Sequence, residues 1–170
     1  GELESAARNM VEGPFETTSL RAFVTPGKWR LLARFDGGEN AVGSQLERLS
    51  PSGRVLPDEV SAREAAAVSK TDWAWLLRAR LPLRHVTPWA QTAMQMGAEE
   101  IRWDCATGSV CAGWAGALSP GLSPQHCARL RVLAEKAGGF LVVERAPVDL
   151  KTAALVWGDP GQDLVLHRGL

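Results

Sequence analysis

Two hydrophobic rhythms alternate along the chain, and the clearest lies in its second half. In "EEIRWDCATGSVCAGW" apolar residues recur at every second position, which predicts two strands and a hairpin turning over Cys105 to Gly108. In that register Ile101, Trp103, Val110, Ala112 and Trp114 share one face, and Arg102, Asp104, Ser109, Cys111 and Gly113 share the other. One apolar and one polar face is the signature of an antiparallel sheet covered on one side. In "SPQHCARLRVLAEKAGG" the period lengthens to that of a helix, with Cys127, Leu130, Leu133, Ala134 and Ala137 as the expected inward stripe. Ser123 is the expected N-cap, Pro124 suits the first helical position, and Gly138-Gly139 ends the helix. "FLVVER" follows as a strand, and Asp149 is the expected cap of a short helix in "LKTAALVWG".

Upstream the rhythms are shorter. "ELESAARNMVEG" predicts a helix ending near Gly13, and the stretch from Gly13 to Gly27 predicts a loop with one helical turn over Thr18 to Phe23. "KWRLLARF" predicts a strand. Asp36, Gly37 and Gly38 predict a turn, and Ala41, Val42, Gln45, Leu46 and Leu49 a helical stripe. A short strand in "SPSGRVLP" and a helix capped by Asp58 come next. A short helix from Trp73 to about Arg78, a strand from Leu81 to Val86 and a helix opened by Pro88 complete the pattern. From about Leu81 to Arg145 the order is strand, helix, strand, strand, helix, strand. The expected fold is therefore α+β, an antiparallel sheet with helices on one face and ferredoxin-like βαββαβ elements. The strand, helix and strand from Lys28 to Leu56 suggest part of a degenerate second copy.

Length adds that 170 residues make one domain with a real core, able to bury roughly 70% of its unfolded surface. Residues 1–27 read as an N-terminal helix and linker within it. Nineteen basic side chains balance nineteen acidic ones, which argues against a nucleic-acid binder. No apolar run approaches the ~20 residues of a membrane span. Cys105, Cys111 and Cys127 are too few and too odd for a disulfide framework, so a reducing cytoplasm is the expected location. They fall on a turn, a strand and a helix stripe, and His126 beside Cys127 does not turn them into a zinc set. His85, His126 and His167 lie far apart, and "DGGENAVG" lacks the spacing of a nucleotide cradle. No catalytic constellation and no metal site are expected. The conspicuous chemistry is at the end of "FLVVER", where Glu144 and Arg145 should point to opposite faces and each needs a partner or water.

From Gln125 onward the chain resembles a known family. A helix ending in Gly138-Gly139, the run from Val142 to Pro147 with Glu144 and Arg145 inside it, and Val156-Trp157-Gly158 carry the resemblance. The family is that of the glycolate oxidase FAD-binding subunits, within the FAD-linked oxidase superfamily, and the likeness is to their C-terminal part, the cap domain. Looser similarity reaches upstream through "IRWDCATGSV" to "WRLLARFDGGENAVGSQLERL".

The resemblance implies a cap domain that lies over FAD and helps form the substrate pocket. It implies a larger flavoprotein whose FAD-binding half precedes this sequence. It also implies oxidation of a 2-hydroxy acid, glycolate to glyoxylate, beside a sister flavoprotein and an iron–sulfur subunit. The family's last segment would follow Leu170, and the histidine motif of the sister flavoprotein is absent, so the fragment alone is expected to be inactive. Arg145 becomes the candidate for flavin or an anionic substrate, and Glu144 for orienting a neighbour or reaching another subunit. The alternatives are a non-catalytic accessory subunit of that complex and a stand-alone ferredoxin-like module binding a small ligand.

Overall fold

A computed structural model of the chain describes residues 2–13, 15, 17–25, 28–49, 55, 72–115, 122–151 and 156. The elements run α1 (Glu2–Glu12), β1 (Thr17–Thr25), β2 (Lys28–Phe35), α2 (Glu39–Leu49), β3 (Trp75–Arg80), α3 (Leu83–Gln95), β4 (Glu100–Asp104), β5 (Ser109–Trp114), α4 (Pro124–Lys136) and β6 (Phe140–Arg145). A single 3-10 turn follows at Val148–Leu150. The six strands form one sheet in the order β2-β1-β4-β5-β3-β6, antiparallel at every pairing.

The fold is α+β, as the periodicity indicates, and β3-α3-β4-β5-α4-β6 has the ferredoxin-like order of elements and strands. The hairpin β1-β2 extends its sheet beyond β4. Residues 2–49 arrange as helix, strand, strand, helix, so among the described residues there is one βαββαβ unit and not two. The strand expected in "SPSGRVLP", apart from Val55, and the helix expected after Asp58 lie outside the described residues.

Helices α1, α3 and α4 pack on one face of the sheet, here called the inner face. Cross-strand partners share a face, so the register assigns the inner layer: Leu20, Ala22 and Val24 on β1, Ile101 and Trp103 on β4, Val110, Ala112 and Trp114 on β5, Trp75, Leu77 and Ala79 on β3, and Leu141 and Val143 on β6. All are buried and belong to one hydrophobic cluster with Val86, Trp89, Ala93, Cys127, Leu130 and Ala134 of the helices. Two indoles tie elements together through hydrogen bonds. Trp89 Nε1 donates to the Leu130 carbonyl at 3.0 Å, linking α3 to α4, and Trp114 Nε1 donates to the Met96 carbonyl at 3.1 Å, linking β5 to the end of α3. Each indole thereby buries its large apolar surface without losing its hydrogen bond.

Three expectations change. The turn expected at Thr18 to Phe23 is the long strand β1, whose Leu20, Ala22 and Val24 alternate inward once β2 and β4 lie on either side. The helix expected at Trp73 to Arg78 is strand β3. "WLLRAR" alternates Trp75, Leu77 and Ala79 inward against Arg78 and Arg80 outward, and Asp72, which resembles a helix cap, instead precedes a strand. The strand expected at Leu81 to Val86 is the first part of α3, which begins right after Pro82 and carries Pro88 inside it rather than at its start. Proline at position 88 removes one i→i−4 hydrogen bond, that to the Arg84 carbonyl, inside the helix.

Helix α4 agrees with expectation at both ends. The Ser123 Oγ accepts from the His126 N–H at 3.3 Å, and His126 Nδ1 accepts from the Ser123 N–H at 3.2 Å, a reciprocal box with histidine in place of the usual glutamate. Gly138 has φ +76°, the left-handed conformation that ends the helix. Its inward face differs by one residue. Cys127, Leu130, Arg131 and Ala134 are buried, whereas Leu133 is 37% exposed. Leu130→Ala is therefore expected to cost ~2–5 kcal/mol, and Leu133→Ala less than ~1 kcal/mol. Denaturant midpoints of the two variants will separate them, and equal losses would place Leu133 in the core after all.

Candidate functional site

The outer face of the sheet, opposite α1, α3 and α4, carries the polar chemistry. Two transverse rows follow from the register. One runs Leu32, Arg21, Asp104, Ser109, Arg80, Phe140, and the next Arg30, Phe23, Arg102, Cys111, Arg78, Val142. With Arg34 on the same side of β2, and apart from Arg145 at the end of β6, six arginines stand on this face against the carboxylates of Glu100, Asp104 and Glu144. Three of them are neutralised locally. Arg102 meets Glu100 at 2.5 Å, Arg78 meets Glu144 at 2.6 Å, and Arg34 meets Asp36 at 3.0 Å. Asp104 turns back to the hairpin, where its Oδ1 accepts the backbone N–H groups of Ala106 and Thr107 at 3.1 and 3.2 Å.

Strand β5 lies near the middle of this face and presents only Ser109, Cys111 and Gly113 to it. At Gly113 the indole of Trp73 lies so close that an added Cβ would sit 2.5 Å from its Cδ2. Trp73 is 5% exposed, and its Nε1 is buried without a hydrogen-bond partner among the described residues. The glycine is what lets the ring lie flat against the strand.

Glu144 and Arg145 come to the same side of the sheet. Alternation along an ideal strand puts them on opposite faces, but β6 contains a bulge. Val143 lies opposite Leu77 and Arg145 opposite Leu76, so two steps on β6 match one step on β3 and Glu144 is the extra residue. Glu144 reaches Arg78 on the neighbouring strand. Arg145 Nη1 donates to the Asp72 carboxylate and, at 3.2 Å, to the Trp73 carbonyl. The strand end therefore ties down the segment that carries the Trp73 ring across the outer face. The 3-10 turn after Pro147 begins at Val148, one residue before Asp149, and residues 152–155, 157 and 158 of the helix expected beyond it lie outside the described residues.

The thiols and histidines occupy structural positions. Cys105 and Cys127 are buried, and burial pushes their thiols up, to about 12 and about 11 respectively. Burial also raises Cys111, opposed by the Arg78 and Arg102 guanidinia on either side of it. His126 serves the helix cap, and His85 sits on α3, where its Nε2 accepts from the neighbouring Arg84 Nε at 3.1 Å. His167 lies outside the described residues. Among the described residues no three His, Cys, Asp or Glu side chains gather as metal ligands, and no helix is long and apolar enough to cross a membrane.

The fold and its outer face define a class, a ferredoxin-like α+β domain with an arginine-rich sheet surface. Comparison with protein families, with characterised proteins and with solved structures found no match in any of the three. The arginine rows escape a reading of the sequence alone, because they depend on which strands are neighbours. The signal available was the repeated alternation of Arg with apolar residues in "LRAF", "WRLLAR", "LLRAR" and "IRWD".

Two outcomes follow. Gly113→Ala is expected to displace Trp73 and to cost ~1–3 kcal/mol, read as a change in tryptophan fluorescence together with a lower denaturation midpoint. Because the folded Cys105 thiol titrates near 12 and an unperturbed one near 9, its stabilisation is complete below pH 9 and is lost as pH rises toward 12. The unfolding free energy should decline over that range, and Cys105→Ala should flatten the decline; identical pH profiles would exclude burial of the thiol as its cause.

Proposed function

We propose that this chain is the cap domain of a glycolate-oxidase-type flavoprotein subunit, acting in FAD-dependent oxidation of a 2-hydroxy acid. The resemblance of the segment from Gln125 onward motivates the reading. The observation that carries it is a sheet with helices on one face and arginines on the other, a surface suited to lie over a cofactor and an anionic substrate.

The described residues contain no glycine-rich phosphate cradle, so in this reading the dinucleotide is held by a domain outside this sequence. The small residues of β5 are compatible with close approach of a flat ring. FAD supplies the two-electron acceptor, and glycolate becoming glyoxylate gives up two electrons and two protons. With the flavin bound, arginines of the outer face would orient the substrate carboxylate through their guanidinium groups, and the sheet would exclude water from it. A sister flavoprotein and an iron–sulfur subunit complete the complex, in the cytoplasm.

The reading as an accessory subunit draws on a specific observation. Glu144 and Arg145 are each engaged within the chain, by Arg78 and by Asp72 with the Trp73 carbonyl. That gives Arg145 a positioning role, holding Trp73 at the rim of the outer face, with a direct ligand contact left to other arginines.

The deciding experiment adds glycolate anaerobically to the full-length flavoprotein. Loss of the oxidised flavin's visible absorbance is expected, and an unchanged spectrum would leave the accessory role. In the same protein Arg145→Ala should lower flavin content or raise KM while the domain stays folded. Unchanged flavin content and kinetics would remove Arg145 from the site altogether.

A further inference from the structure

The ion pairs on the outer face single out two arginines. Arg102, Arg78 and Arg34 each face a carboxylate, Arg30 is also engaged, and Arg145 holds Asp72. Arg21 and Arg80 have no hydrogen-bond or ion-pair partner among the described residues, and both are exposed. They stand in the same transverse row, Arg21 on β1 and Arg80 on β3, with Asp104 and Ser109 between them. Three strand spacings separate their backbones, about 14 Å, a span that two long side chains close from either side.

Between them β5 presents the small, half-buried Ser109, with Cys111 in the next row and Trp73 over Gly113 beyond it. The one carboxylate in the row, Asp104, is drawn toward the backbone N–H groups of Ala106 and Thr107. The Ser109 hydroxyl adds a donor at the centre. Two guanidinia without a partner among the described residues, standing in one row with a hydroxyl between them, complement an anion with charge at both ends.

We propose that the row Arg21–Ser109–Arg80 binds a small doubly charged oxyanion, a dicarboxylate or a diphosphate group, bridged between the two guanidinium forks. This site stands on the sheet face alone and does not require the flavin reading. Its failure and that of the cap-domain reading are distinct, because the test below uses the 170-residue chain without flavin.

Isothermal titration with succinate and, separately, with inorganic pyrophosphate tests the site. Saturable binding of at least one is expected at millimolar concentrations or below, and the tighter of the two identifies the source of the oxyanion. Arg21→Gln and Arg80→Gln should each weaken it about tenfold or more, Arg80→Lys should recover only part of the loss because it restores charge without the fork, and Arg129→Gln, which removes an exposed arginine from α4, should change nothing. Circular dichroism of each variant confirms that the exposed substitutions leave the fold intact. Absence of binding to both anions, or equal weakening by Arg129→Gln and Arg80→Gln, would overturn the proposal.

Discussion

Strand β5 is the constraint on which the rest of the structure depends. It sends Val110, Ala112 and Trp114 toward the helices and Ser109, Cys111 and Gly113 the other way. The large side chains anchor the inner layer, where Trp114 reaches the Met96 carbonyl. The small ones stand on the outer face between β4 and β3. Because side chains alternate strictly along a strand, a one-residue slip in pairing would exchange the two sets and bury Ser109 and Cys111 under the helices. The hydrophobic core thus holds the register, and the register places the arginines.

That dependence explains the charge arrangement. Arginines on the outer face sit beside inward neighbours that fix their strands: Arg21 between Leu20 and Ala22, Arg78 between Leu77 and Ala79, Arg102 between Ile101 and Trp103. Burial of the neighbours stabilises the strands by ~25 cal/mol per Å² of apolar surface removed from water. The half-exposed ion pairs contribute little by comparison. Most of the buried apolar surface lies on the inner face, with Phe23 and Trp73 the buried aromatics of the outer one.

The end of β6 joins the two faces. The bulge at Glu144 turns both charged residues outward, and Arg145 then secures Asp72 and the Trp73 backbone. Trp73 lies over Gly113 as a result. A charged pair at a strand end, which in isolation reads as a simple emergence into solvent, is here a fastening between the last strand and the segment that enters β3.

Local chemistry alone determined the elements whose signals are complete within a short stretch. The hairpin of β4 and β5 with its two faces, the cap, proline and terminating glycines of α4, and strands β2 and β6 were all legible, because alternation, capping and turn residues act over a few positions. Where the local signal was ambiguous, pairing decided. Strands β1 and β3 set polar side chains between apolar ones over few positions and are each followed closely by a proline, so they resemble loop and helix until hydrogen-bonded neighbours satisfy their backbones. The inward face of α4 shifted from Leu133 to Arg131 for the same reason, since a helix's rotation is set by what it packs against. The arginine rows and the meeting of Glu144 with Arg78 belong wholly to the tertiary structure: they join strands separated by dozens of residues, and no property of either strand by itself specifies its neighbour.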